Sequence, residues 1–439
     1  MLRFLILLLV VSAASAQVTL DACIRNGLRN HPSLRLAQNE ERAGAEELKQ
    51  ARSARLPSLD FSGSYRYQSV VPEFRLQPLS LPIGGVPIEL FPGGSMALGM
   101  YDNFDFRLTV AQPLFAGFRL VQRQSSAEWS LRSKQAQVLK ARNELAFKIT
   151  SVYGQALKAE RLLAIAHINR EQVEAHRTRV RGMLAQGLVR RDDLLKTEVK
   201  LSEVELLILQ AENAVRLSRA LLENLTGEPL TDSLAAMVYE PTLPTDLDAA
   251  VAEAFRNRPE LRELMFLERA GEAAMRIAGG GRLPTIGAFG TFGYGKPGLD
   301  FIKKEWMDYW LVGAGVEWNV WNWGKTRSQM QQAQIRRDSV SEAMRQMRQT
   351  VTLEVTEAYI RLHEAQQTLQ LLNASAAQAA ESYRVAENSY QQGQATHTDY
   401  FDAQSQWLRV QQQISQAEID LAVAQANWRR ALGLPLADE

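Results

Sequence analysis

The run GTFGYGK, Gly290 to Lys296, has the G-x-x-x-x-G-K spacing of a phosphate-binding loop. Such a loop works because glycines let backbone amides close around phosphate oxygens, the lysine reaches the outer phosphates, and a following Ser or Thr holds magnesium. Here Pro297 stands where Ser or Thr is required, and no helical pattern follows, so the run reads as strand and hairpin positions. The five histidines (31, 167, 176, 363 and 397) show no metal-ligand spacing, and none pairs with the single cysteine, Cys23. One cysteine forms no intrachain disulfide. With Asp21 two residues before it, Cys23 reads as a packed thiol rather than a lipid attachment site. His397 lies two residues before Asp399 and is a candidate for pH sensitivity. No Ser/His/Asp set or carboxylate constellation stands out. The expectation is a protein that is not an enzyme and has no metal or cofactor.

The elements that carry these residues come in two copies. GLRNHPSLR from Gly27 returns as AFRNRPELR from Ala254. Leu20, Pro32 and Arg55-Leu56-Pro57 each recur 227 positions later. Tyr153, Gln186-Gly187, Asp193 and Gly227 recur 206 positions later. The difference is 21 residues of extra material in the first copy, in the Pro/Gly-rich VVPEFRLQPLSLPIGGVPIELFPGGS, read as a loop insertion. Residues 1–16 read as a signal peptide: Arg3, an apolar run Phe4 to Val11, and Ala14-Ser15-Ala16 as the cleavage site. The first repeat then covers 17–230, a linker near mid-height 231–246, and the second repeat 247–439. Without Arg3 the formal charge falls from +1 to zero, which gives no reason to expect nucleic acid.

Within a repeat the period changes twice. Residues 19–53 read as a helix capped by Thr19 and bent at Pro32. From Leu59 the period is two: Leu59, Phe61, Tyr65 and Tyr67 alternate with Asp60, Ser62, Ser64 and Arg66. Phe104 to Val110 alternates likewise, with Asp105, Arg107 and Thr109 on the polar side. The second repeat supplies Ile286 to Tyr294, then Trp310 to Trp318 with Glu317 opposite. After Gly117, and again after Gly324, helical periodicity runs for some seventy residues to a turn at Gly187 or Gly393. A shorter helix follows. At about 1.5 Å per residue the long helix measures roughly 100 Å. The N-terminal and post-turn helices then stack end to end to match it, and a mainly α rod of long coiled hairpins with a small sheet at one end is expected.

No other run is long and apolar enough for a spanning helix, so any membrane crossing must use strands. Four strands cannot close on themselves. Two chains would give eight strands, whose side chains fill the interior; three give twelve and leave a lumen. Asp60, Arg66, Asp105, Arg107 and Glu317 fall on the face that would line it.

These features, from VTLDACIRNGLRNHPSLR to WRRALGLPL, resemble the TolC family of outer-membrane efflux and secretion channels. ARLPSLDFSGSY, GRLPTIGAFGTF, PLFAGFR, NVWNWGKTRS, AQGLVRRDDLL and QQGQATHTDYFDAQ carry the likeness in order. The resemblance implies a homotrimer in the outer membrane of a Gram-negative bacterium, extending into the periplasm. It implies a twelve-stranded transmembrane β-barrel, a trimeric α-barrel of twelve helices, and docking to a periplasmic adaptor and an inner-membrane pump. By position it assigns Asp399 and Asp402 to a ring of acidic residues at the periplasmic entrance, and Asp193 to a latch. The expected latch arginine is replaced by Ala395, with Arg190 or Arg191 as substitutes. The competing reading is that these aspartates cap helix N-termini. Gly187, Leu188, Val189, Gly393 and Gln394 are the expected adaptor-docking positions. The function expected is a passive export duct; the alternative is a non-conducting periplasmic rod that tethers envelope layers.

Overall fold

The computed structural model describes residues 17–238, 244 and 246–436. The expected signal peptide lies outside the described residues, as does part of the expected linker. Thr19 accepts a hydrogen bond from the Ala22 amide at 3.3 Å and opens α1 (Leu20–Asn30). His31 leaves the helix at ψ 131°, because the residue before a proline is driven to extended backbone. Pro32 then starts α2 (Pro32–Ser53) at a position where its missing N–H costs nothing. The second repeat breaks the same way: α5 (Leu247–Asn257), capped by Asp246, ends at Arg258 with ψ 121°, and Pro259 opens α6 (Pro259–Gly279).

By contacts the chain forms two compact units, and each draws on both repeats. One comprises residues 43–132 and 266–341. Its antiparallel sheet holds β1 (Ser58–Tyr67), β6 (Asp102–Ala116), β7 (Thr285–Lys296) and β8 (Met307–Glu317), in the order β1-β6-β7-β8. The repeats therefore meet at the middle of the sheet, and β1 and β8 are its edges. The inserted segment departs from the expected loop. It contains β2 (Glu73–Leu76), β3 (Leu79–Ile83), β4 (Val86–Phe91) and β5 (Gly94–Ala97), paired β2 to β5 and β3 to β4. The β3–β4 turn is Gly84-Gly85, with φ 67° and 88°, and two successive positive φ values suit a tight hairpin. Leu81 faces Ile88 and Pro82 faces Pro87 across this ladder. A two-strand ribbon has free edges, which tolerate the prolines that masked the alternation in the sequence.

The other unit comprises the described residues within 17–42, 133–265 and 342–436. It contains most of α3 (Arg119–Ala185) and α7 (Lys325–Gln391), 67 residues each, with α4 (Arg191–Thr226) and α8 (His397–Ala431). Ala166 and Val173 of α3 pack on Leu201, Val204 and Ile208 of α4. Leu362 and Leu369 of α7 pack on Ala417 and Leu421 of α8. Lys158 to Asp420, and Gln172 to Gln404 at 3.0 Å, join α3 to α8. The helices thus adjoin in the order α4, α3, α8, α7.

End-to-end stacking is as expected within this unit. Cys23 and Ile24 of α1 share one buried cluster with Leu222 and Leu225 of α4 and Ile149 of α3. Gly227 closes α4 at φ 75°, and a Cβ there would lie 3.1 Å from the Asn30 Cβ at the α1–α2 break. Gly433 meets the α5–α6 break in the same manner, 2.8 Å from the Arg258 nitrogen. Tyr153 ties the segment before α1 and the segment after α4 to the core, its hydroxyl donating to the carbonyls of Val18 at 2.8 Å and Ala235 at 2.7 Å.

Candidate functional site

The strand ladders decide which side chains share a face. Asp60 pairs with Thr109, which pairs with Thr291; Arg107 pairs with Ser62 and Gly293; Asp105 pairs with Ser64 and Gly295. Arg66 pairs with Asn103, and Glu317 with Thr285. Asp60, Arg66, Asp105, Arg107 and Glu317 all lie on this one polar face. Arg107 and Asp105 form an ion pair at 2.6 Å, and the Tyr309 hydroxyl donates to Asp105 at 3.5 Å. The Tyr309 ring covers Gly293 so closely that a Cβ there would sit 2.1 Å from Cζ, and any larger residue would displace the ring. The GTFGYGK run is part of β7, and its glycines serve the sheet.

The opposite face is apolar across all four strands. Phe61, Leu108, Phe292 and Trp310 form one cross-sheet row, and Leu59, Val110, Gly290 and Val312 the next. Phe61 is 72% exposed and Trp310 75%. Such a continuous apolar surface on a soluble chain would drive association, whereas lipid solvates it.

The second candidate region is the pair of helical turns. Gly187 (φ 74°) and Gly393 (φ 72°) each follow a 67-residue helix, where a left-handed residue ends the helix without a Cβ penalty. The Leu188 amide returns to the Met183 carbonyl at 2.9 Å, and that of Gln394 to Ser389 at 2.8 Å. Leu188 and Gln394 are exposed. After each turn an aspartate caps the next helix. Asp193 accepts from the Arg190 amide at 3.1 Å; Asp399 accepts from the Thr396 amide at 3.0 Å and its hydroxyl at 2.6 Å. These bonds from Thr396 hold the Asp399 carboxyl below the usual range, so it stays ionised. Asp402 is exposed on α8. Among the described residues no ion pair joins Arg190 or Arg191 to Asp193; Asp192 instead pairs with Lys196 at 2.8 Å.

Behind the turns lies a feature that spacing did not reveal. His176 of α3 and His397 of α8 are both buried, with Nε2 and Nδ1 3.4 Å apart. The His176 ring stacks on Tyr400 at 4.4 Å, and Phe401 and Tyr390 complete the aromatic surround. Burial is the main reason the His176 pKa falls to about 3, with His397 and Arg179 adding to it. His397 is also lowered by burial, opposed by Asp193. The two histidines are 221 residues apart, and no signal in the sequence links them until the turns are known to lie side by side.

Two helices carry a second apolar stripe. On α4, Leu201, Val204 and Ile208 are buried, while Leu195, Val199, Leu206 and Leu217 are exposed. At 100° per residue the two sets lie on nearly opposite sides. On α7, Val351, Val355, Leu362 and Leu369 are buried, while Leu353, Ile360 and Leu371 are exposed on the far side. These are the outermost helices in the order α4, α3, α8, α7.

Comparison with known proteins follows the same outline. The family model described as outer membrane efflux protein matches residues 23–228 and 250–434, one stretch per repeat. The proteases secretion protein PrtF of Dickeya chrysanthemi is 24% identical over 98% of this chain and 91% of its own. The outer membrane protein TolC of Escherichia coli strain K12 is 20% identical over 92% of this chain and 80% of its own. The crystal structure of the outer membrane protein VceC from Vibrio cholerae superposes with a TM-score of 0.75. It covers 94% of this chain and 96% of that one, at 17% identity.

Proposed function

The chain belongs to the outer membrane efflux protein family, and from that footing we propose that three copies close into one passive export duct. The protein is an outer-membrane efflux and secretion channel that extends into the periplasm. The observation that carries the trimer is incompleteness at both edges of one chain. β1 and β8 leave a row of backbone groups unpaired, which hydrocarbon does not tolerate. The helices α4 and α7 each present an apolar stripe with nothing on it. Pairing β8 with the next β1, and α7 with the next α4, satisfies both edges at once. Three copies give twelve strands and a lumen. Its wall would be the face of Asp60, Arg66, Asp105, Arg107 and Glu317, with Arg107 and Asp105 paired.

Such a duct draws its driving force from partners: a periplasmic adaptor and an inner-membrane pump. The turns at Gly187, Leu188, Val189, Gly393 and Gln394 offer exposed residues, with Val189 half-buried, for an adaptor to seat on. Asp399 and Asp402 would place six carboxylates around the entrance of a trimer. The Thr396 cap supports this reading because it keeps Asp399 charged while fixing its position. Asp193 acts as the cap of α4 in this scheme, and its latch role would need Arg190 or Arg191 to turn toward it.

The test is Leu206→Glu with Leu217→Glu, which charges the exposed stripe of α4 and leaves its buried face alone. Purified protein is weighed by light scattering and examined in planar bilayers. The unaltered chain should have the mass of a trimer and conduct; the variant should be monomeric and silent. A conducting monomer would refute closure by three copies. A trimer that does not conduct would favour the tethering rod.

A further inference from the structure

The polar face of the sheet divides into a covered half and a bare half. Away from the helices, Thr109 and Thr291 share a hydrogen bond at 3.1 Å, and Arg107 pairs with Asp105. The Tyr309 ring lies over Gly293 there, so the space left by that glycine is filled by a neighbour. Towards the helices the same face carries Ala111, Pro113, Gly287, Phe289 and Gly315, and ends at Glu317. A cavity of about 610 Å³ opens over them.

Two features of the bare half are left over once the sheet has been accounted for. Phe289 is a large apolar side chain on a face built mainly from Asp, Ser, Arg and Thr, and it is 42% exposed. Its ring leans across Gly313, where a Cβ would lie 2.8 Å from Cζ, so Gly313 is filled as Gly293 is. Gly287 and Gly315 are not filled. A Cβ on Gly315 would meet nothing within 4 Å, and one on Gly287 only the Gln112 carbonyl at 3.8 Å. Neither residue has the positive φ that favours glycine. Glycine in a strand costs backbone entropy and packs nothing, and it often marks a place where a ligand approaches the backbone closely. Side chains would fit at both positions, yet both leave a bare floor with free space above it.

The two ends of the floor define what fits on it. At one end stands the exposed ring of Phe289. At the other is the exposed Glu317, which forms no ion pair among the described residues. Gly313, beneath the ring, and Glu317 are separated by roughly 13 Å along β8. A cation is attracted both by a carboxylate and by the face of an aromatic ring, whereas an anion is repelled by both. The glycine floor between them takes an apolar body, as ligand cavities with a few placed polar groups do. We propose that this cavity is a subsite for apolar organic cations, with the charged centre at Glu317 and the apolar body on Gly287 and Gly315, against Phe289. The β1 strand of a neighbouring copy alongside β8 extends the sheet in its own plane and leaves this face open. The subsite rests on the reading of the polar face as the wall of a duct, and deepens it by naming the class of cargo that the wall retains.

The probe is tetraphenylphosphonium, with tetraphenylborate as an anion of the same shape and tetramethylammonium as a cation without the apolar body. Full chains are studied in planar bilayers, and all carry Asp399→Ala with Asp402→Ala so that the entrance carboxylates take no part. Current through channel-free membrane is subtracted, and the current of each variant without probe is its own reference. Tetraphenylphosphonium should reduce the current saturably, and the other two ions several-fold less. Glu317→Gln and Phe289→Ser should each weaken that block several-fold. Gly315→Val fills the floor, leaves ring and carboxylate in place, and should weaken it as well. Equal block by tetraphenylphosphonium and tetraphenylborate, or block unchanged in Phe289→Ser and Gly315→Val, would overturn the subsite and leave the duct standing. If no channels form, the duct reading fails and the subsite with it.

Discussion

The buried histidine pair makes the packing behind the helical turns sensitive to acid, and the size of the effect follows from its geometry. A base whose pKa is depressed when packed contributes stability that is complete above its exposed value. That stability is lost as the pH falls below it. For His176 the exposed value is about 6.5 and the packed value about 3. From about pH 7.5 to about pH 5 the packed arrangement therefore loses about 2 kcal/mol from this group alone, or roughly thirtyfold in the equilibrium. His397 is lowered as well and adds in the same direction, although Asp192 and Asp193 favour its charged form while Lys196 opposes it. Arg179 on α3 further disfavours a second positive charge at His176; the other facing groups, Tyr390 and Tyr400, stay neutral in this range. The assay is amide hydrogen exchange over residues 183–193 and 389–402, corrected for the intrinsic effect of pH. Protection should fall with acid in the wild type. The fall should be much smaller in His176→Phe, which keeps a ring against Tyr400 but carries no proton. Flat protection across the range, or an unchanged acid response in His176→Phe, would refute the reasoning.

Other consequences can be checked separately. A Cβ on Gly27 would lie 2.3 Å from Ile149 Cδ1, so Gly27→Ala should cost about 1–3 kcal/mol of thermal stability through overpacking. The second repeat holds Ala254 against Val355 at these positions, so Gly27→Ala with Ile149→Val should recover most of the loss. Arg258 is buried, bonded to Glu354 at 2.7 Å and close to the Arg430 and Ala431 carbonyls at the end of α8. Arg258→Met leaves the half-buried Glu354 and the more buried Glu260, 3.1 Å from the Arg258 Nε, without their cation and should destabilise by about 2–4 kcal/mol in denaturant titrations. Asp399→Ala with Asp402→Ala should change single-channel conductance and lower cation selectivity; unaltered traces would remove the entrance ring.

Much of the architecture was readable because it depends on local periodicity. The strand faces were legible because each strand alternates strictly between apolar and polar residues, and Asp60, Arg66, Asp105, Arg107 and Glu317 fell together for that reason. The breaks at Pro32 and Pro259 follow from the extended backbone that a proline imposes on the residue before it. The inserted hairpin escaped because Pro82 and Pro87 interrupt the usual strand signal. The second stripes on α4 and α7 escaped because a helix with two apolar faces blurs its own periodicity. The histidine pair depends on two turns lying side by side, which no local pattern encodes. Asp399 was open to two readings, and Thr396-x-x-Asp399 was a capping signal in plain view. The structure shows the cap, and because the cap keeps the carboxylate ionised it does not conflict with the proposed entrance charge.

The junction of β6 with β7 has a history written into it. It joins strands from different repeats, and in a closed trimer the contact of β8 with a neighbouring β1 is its counterpart. An ancestor half as long would have built the same wall from six identical pieces with six identical joints. In a trimer, fusion would make three of those joints internal and leave three external, so the two kinds could diverge. If the external joint keeps the internal register, in which Phe106 faces Tyr294, then Val312 falls opposite Tyr67 of the adjoining copy. The same fusion would let an insertion such as the segment from β2 to β5 occur three times in a trimer instead of six. Alternate positions there are then left open, a freedom a sixfold ring of identical parts could never have had.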